Sequence, residues 1–159
     1  MREQLVGMGF DAHRFGGEGP VVLGGVRIDH ETGLLGTSDA DVAAHAIADA
    51  ILGAAPIGDI GEHFPSSDPQ WEGADSLAIL RKCVAMIQDR GYGLINADVT
   101  IIAESVRVAP HREAMRTALA SALLVPLQKV SVKATTTDGM GWIGRGEGIA
   151  AMAVVSIER

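Results

Sequence analysis

Asp11 and His13 stand two residues apart in the segment Gly9-Phe10-Asp11-Ala12-His13, and His45 lies in the alanine-rich run from Asp39 to Ala55. One carboxylate and two imidazoles make the three-donor set of a catalytic zinc, which keeps a fourth position open for substrate. If residues 5–15 form a strand, side chains two apart share a face, and Asp11 and His13 project together. A plainer reading stays open, with His13 on the surface and His45 a satisfied helix residue. Asp41, His45 and Asp49 recur every four residues, which puts one polar stripe on an otherwise apolar helix. Asp41 or Asp49 could hold the second ring nitrogen of His45 and so fix its tautomer; equally, the stripe could be a solvated face.

Regular elements must bring these groups together. Residues 5–15 read as a strand, and 21–28 as a strand or hairpin arm with a glycine break. Ser38, with Asp41 three residues on, resembles a capping box, so a helix is expected from Asp39 to Ala55. Residues 56–74 are turn-rich. A second helix spans 75–90 and stops at Gly91, and 97–103 is strand-like. Pro110 opens a third helix that continues to Leu124. A strand at 129–136, a glycine-rich loop at 139–148 and a last strand at 149–157 complete the chain. There is no internal repeat and no linker, so residues 1–159 read as one α+β domain. The expected architecture is an α/β sandwich, a four- to five-stranded mixed sheet with helices on one face.

The last strand is apolar on both sides. Ile149, Ala151, Ala153, Val155 and Ile157 share one face; Ala150, Met152, Val154 and Ser156 share the other. Three helices cover one face of a sheet, so the second is expected to pack against other copies of the chain.

Composition narrows the function classes. With 47% hydrophobic and 21% charged residues in 159, the chain can bury a core, and at 4% aromatic that core must be aliphatic. The net charge of −7 comes without a basic stripe, against a nucleic-acid binder. An anionic substrate would have to be attracted locally, by metals, backbone N–H groups and a few Arg or Lys residues. No apolar run reaches the roughly 18 residues of a membrane span, and the N-terminus does not read as a signal peptide, so the expected compartment is the cytoplasm. Cys83 is the single cysteine and has helical apolar spacing, which reads as a buried, inert thiol.

Four motifs in order then carry a resemblance. Gly9-Phe10-Asp11-Ala12-His13 resembles the opening Gly-Phe-Asp-x-His of the 2-C-methyl-D-erythritol 2,4-cyclodiphosphate synthase family. Ser38-Asp39-Ala40-Asp41-Val42-Ala43-Ala44-His45-Ala46 is similar to its Ser-Asp-Gly-Asp-Val-x-x-His-Ala segment. Gly58-Asp59-Ile60-Gly61-Glu62-His63-Phe64-Pro65 resembles its Gly-Asp-Ile-Gly loop. Val132 to Thr137 and Gly144-Arg145-Gly146-Glu147-Gly148 resemble its C-terminal signature.

The resemblance implies a homotrimer whose three sheets face a central core, with an active site at each subunit boundary. It implies Zn2+ on Asp11, His13 and His45, and a second divalent cation, Mg2+ or Mn2+, on Asp138, where the family usually has a glutamate. The implied substrate is cytidine diphosphate-linked. Catalytic roles fall to Thr136 and to Thr37, which stands where the family often has a histidine. Implied substrate contacts are Asp11, His13, Thr37, Ser38, Asp59, Ile60, Gly61, Phe64 and Asp68, then Ala103, Arg107, Val108 and Ala109 around cytidine. Thr135, Thr136, Thr137, Asp138, Trp142 and Arg145 complete them. Thr37 and Asp138 depart from the family pattern, and so leave room for a non-catalytic trimeric module holding an isoprenoid diphosphate on its axis. A zinc hydrolase, with Asp41 or Asp59 as base, is the third reading.

Overall fold

The structure is a computed structural model that describes residues 2–159. Its first strand, β1 (Gln4–Glu18), outruns the expected segment at both ends. β2 (Val21–Leu23) and β3 (Val26–Ile28) form a separate hairpin around Gly24-Gly25. β4 (Thr32–Leu34), which the sequence pattern did not disclose, pairs with the end of β1. After α1 (Val42–Ala54) and the single turn α2 (Ile60–His63) come α3 (Ser76–Gln88), β5 (Gly93–Ile102) and α4 (Arg112–Leu123). β6 (Val130–Thr135), the single turn α5 (Gly141–Gly144) and β7 (Gly148–Glu158) follow.

Five strands make one mixed sheet in the order β4-β1-β7-β5-β6. β5 and β6 run parallel, and the other neighbours are antiparallel. α1 lies across β1, β7 and β5; α3 packs on α1, and α4 on α3 and β6. Covered above and below, α1 is buried along almost its whole length, which is why it is apolar all round apart from Asp41, His45 and Asp49.

The start of α1 departs from expectation. Ala40 has φ +57°, in the left-handed region, so no helix runs through it, and Asp41 rather than Ser38 is the N-cap. The Asp41 carboxylate accepts from Ala44 N at 3.0 Å, Gly24 N at 2.9 Å and Gly25 N at 2.8 Å. One buried side chain thus caps the helix and ties down the β2–β3 turn.

Ile149, Ala151, Ala153, Val155 and Ile157 of β7 are buried under the helices as their alternation required. On the opposite face Val6 is 69% exposed, Met8 64%, Phe10 53%, Met152 44% and Val154 45%. Cys83 is buried, and burial, with Asp49 nearby, pushes its thiol up to about 12. Among the described residues, no helix is long and apolar enough to cross a membrane.

Candidate active site

Two glycines set the site. A Cβ at Gly9 would collide with the carbonyl oxygen of Ala46, and one at Gly7 with that of Ala50. With neither present, the backbone of β1 lies directly against α1. Two residues further along β1 from Gly9, and one residue back along α1 from Ala46, Asp11 meets His45. His45 Nδ1 lies 3.1 Å from Asp11 Oδ2, and the His13 and His45 rings sit edge to face at 5.6 Å.

Hydrogen bonds fix which ring nitrogens face inward. His13 Nδ1 lies 2.8 Å from the carbonyl oxygen of Leu35, just beyond β4, and must donate to it. In the neutral ring its Nε2 is therefore the lone-pair nitrogen, buried, met by no hydrogen-bond donor among the described residues and 3.1 Å from Asp11 Oδ2. Ligand atoms of Asp11, His13 and His45 all lie within 4.8 Å of one another. A lone pair left orphaned beside a carboxylate fits a cation, and the donor set suits zinc.

Burial alone would raise the Asp11 carboxyl; the two imidazoles outweigh it and hold its pKa at about 2. Burial would lower His13, but the Asp11 carboxylate and the Leu35 carbonyl outweigh it, so its pKa lies above the ordinary value.

The expected metal ligands and substrate contacts fall into two groups. Asp11, His13, Thr37, Ser38, His45, Ile60, Gly61 and Phe64 line one cleft of about 200 Å³. Asp59 caps α2 through Glu62 N at 2.9 Å, and Asp68 accepts from Gln70 N at 3.0 Å, outside that cleft. The second group sits at the same end of the sheet but across it. The register runs from Asp11 to Ala151, to Ile101, to Ala134, three interstrand steps or about 14 Å. Thr135, Thr136, Thr137 and Asp138 follow there, with Ala103 N bonded to the Thr135 carbonyl at 3.0 Å, and neither these residues nor Arg107, Val108 and Ala109 line the cleft. Trp142 borders His13 in a smaller pocket, while Arg145 pairs with Glu147 at 2.8 Å.

Residues 4–158 match the YgbB family. The chain belongs to that family. Among relatives, this YgbB chain is 57% identical over 149 residues to the 2-C-methyl-D-erythritol 2,4-cyclodiphosphate synthase of Edwardsiella ictaluri, covering 94% of this chain and 95% of that one. The synthase of Shewanella halifaxensis is 55% identical over 150 residues, 94% of each chain. A Plasmodium falciparum IspF solved as a CDP complex superposes with TM-score 0.84 at 29% identity, over 97% of this chain and 95% of that one. The bifunctional IspDF of Campylobacter jejuni reaches TM-score 0.96 at 40% identity; 99% of this chain matches 43% of that longer one.

Several roles in this YgbB site escaped the sequence. Neither Asp41 nor Asp49 orients His45, as the four-residue spacing had suggested. Asp41 is spent on three backbone N–H groups, and Asp49 accepts from Ile60 N at 3.0 Å, holding α2 against α1. Beside His45 Nε2 instead are the hydroxyls of Ser76 at 2.7 Å and Ser38 at 3.1 Å. Ser76 follows the N-cap Asp75 at the start of α3, a position that signals helix initiation and nothing more. Trp71 was also missed; it lines the cleft and packs edge to face on Phe64 at 4.9 Å. Glu104 holds Thr137, and only its place within an irregular segment could have hinted at it.

Proposed function

We propose that this chain cyclises 4-diphosphocytidyl-2-C-methyl-D-erythritol 2-phosphate to 2-C-methyl-D-erythritol 2,4-cyclodiphosphate with release of CMP. It is a cyclodiphosphate synthase, a phosphorus–oxygen lyase of the non-mevalonate isoprenoid pathway. The observation that carries this reading is the convergence of Asp11, His13 and His45 in the cleft of a YgbB-family chain.

The reaction needs no protein nucleophile. An oxygen of the substrate's own 2-phosphate bonds to the β-phosphorus, the bond from that phosphorus to the bridging oxygen breaks, and CMP departs with the bridging oxygen. The protein's work is to fold the substrate back on itself and to neutralise charge on the phosphates. Asp11, His13 and His45 would hold Zn2+, which when bound would supply Lewis-acid polarisation of a phosphate oxygen. Asp138 is assigned to a second divalent cation, Mg2+ or Mn2+. Ser38 and Thr37 flank the imidazoles and offer hydroxyl protons to phosphate, Thr37 as a neutral donor where the family often has histidine. Ile60, Gly61 and Phe64 wall the erythritol end, with Asp59 and Asp68 at its rim. The exposed Thr136 donates to the reacting phosphate with Thr135 and Thr137 beside it, while Ala103, Arg107, Val108 and Ala109 receive cytidine. Trp142 and Arg145 close the phosphate side.

A cleft of about 200 Å³ is smaller than the roughly 300–1,000 Å³ that encloses a drug-sized ligand. It accommodates a phosphate and a four-carbon chain but not a nucleotide. With the remaining residues about 14 Å away across the sheet, the site is completed when a second copy brings its Thr135–Asp138 turn to the first copy's cleft. The unpaired apolar face of Val6, Met8, Phe10, Met152 and Val154 supports a homotrimer with sheets turned inward. A cytoplasmic location is proposed on the nucleotide-linked substrate, a water-soluble metabolite.

Incubating the protein with this substrate, Zn2+ and Mg2+ tests the reading. Equimolar CMP and cyclic diphosphate are expected. Thr37 favours one second reading, the trimeric module that holds an isoprenoid diphosphate without turnover; linear phosphate products would instead mark a hydrolase.

A further inference from the structure

The hydrogen bonds behind His45 determine which of its nitrogens can hold a metal. Ser76, fully buried, has one hydroxyl proton and gives it to the Asp39 carboxylate in a short contact. That carboxylate is itself fixed by Ser76 N at 3.0 Å and Asp41 N at 3.2 Å. With its proton committed, Ser76 Oγ can only accept from His45 Nε2, 2.7 Å away. The proton on His45 must therefore sit on Nε2, and the Nδ1 lone pair is left facing Asp11 at 3.1 Å.

We infer that Ser76, held by Asp39, is a positioning residue that locks His45 in the Nε2–H tautomer and aims Nδ1 at the metal position. The inference rests on the metal reading of Asp11, His13 and His45 and extends it by a chain running carboxylate, hydroxyl, imidazole. Such outer partners orient ligating histidines and raise their basicity. The chain also has a consequence for Ser38. Its hydroxyl is 3.1 Å from the same Nε2–H and is at most a second acceptor, so its own proton stays available to a phosphate in the cleft.

Ser76→Ala removes the acceptor at the first residue of α3, where alanine is well tolerated; Ser76→Thr restores the hydroxyl. Long-range 15N–1H NMR of the chelator-treated protein reads the His45 tautomer directly, and competition with a chromogenic chelator reads zinc affinity. Wild type and Ser76→Thr are expected to show Nε2–H; Ser76→Ala is expected to show Nδ1–H or a mixture and to bind zinc about 10- to 100-fold more weakly. A merely structural serine would lower the melting temperature without moving the tautomer. Ser76→Ala with wild-type tautomer and zinc affinity overturns the inference and leaves the metal reading standing. A wild-type protein that binds no zinc overturns both.

Discussion

Glu104 Oε1 accepts the backbone N–H of Thr137, at 2.7 Å, and lies 2.9 Å from its hydroxyl, whose one proton it shares with the Met140 carbonyl at 2.7 Å. Gly139 N approaches the same oxygen at 3.4 Å. These hydrogen bonds, the Thr137 N–H first, hold the Glu104 pKa below the usual carboxylate range. The carboxylate joins the segment proposed to receive cytidine to the turn proposed to handle phosphate, so a shift in one moves the other. Glu104→Ala should lower turnover by about 10- to 100-fold, the scale of an ångström-sized misplacement. Zinc content should stay at the wild-type level. Initial rates of CMP release alongside elemental analysis check both; an unchanged rate would remove Glu104 from the site.

Gly9 is the point where β1 touches α1. Its backbone needs no unusual conformation, so the demand is for space: an added Cβ meets the Ala46 carbonyl. Gly9→Ala should lower stability by about 1–3 kcal/mol or more through overpacking. It should also weaken zinc binding, because α1 carries His45. Urea unfolding and zinc titration read the two effects, and a variant as stable as wild type would show that α1 does not sit as tightly as described.

The uncovered face offers a test of assembly. Wild type is expected near 50 kDa by light scattering, three times the 16.6 kDa chain. Val154→Asp places a charge on the exposed face of β7 and should shift the mass toward the monomer, with CMP release falling in parallel. A trimer that tolerates the charge would place the interface elsewhere.

Asp41 gives stability a pH signature. Burial, against the pull of three N–H donors, pushes its carboxyl up to about 6 from an ordinary 3.8. Between those values the folded protein holds a proton there that the unfolded chain releases. Its contribution to stability therefore declines as pH rises from about 4 to about 6 and is level above that. Asp41→Asn removes the titration, so the stability gap between wild type and variant should be larger at pH 4.5 than at pH 7.5. Chemical denaturation at the two pH values reads it; an equal or reversed gap contradicts the assignment.

What the sequence disclosed follows from periodicity. Period-two alternation placed Asp11 with His13 and the two faces of β7, and the alanine run placed His45 on a helix. The same patterns misplaced the start of α1, because Ala40 adopts a left-handed conformation that its residue type does not advertise. They also missed β4, three residues at the sheet edge, and with it the Leu35 carbonyl that sets the His13 tautomer. Ser76 and Glu104 were invisible for a related reason. Each acts across a long stretch of chain, on a group 31 and 33 residues away respectively, and no local pattern encodes such a pairing.

Anomalous diffraction at the zinc edge, from crystals grown with Zn2+, tests the central claim most directly. One ion is predicted about 2.0–2.2 Å from Asp11 Oδ2, His13 Nε2 and His45 Nδ1, with a fourth position open to the cleft. An ion bound elsewhere, or these three side chains turned apart around an empty centre, would contradict the account.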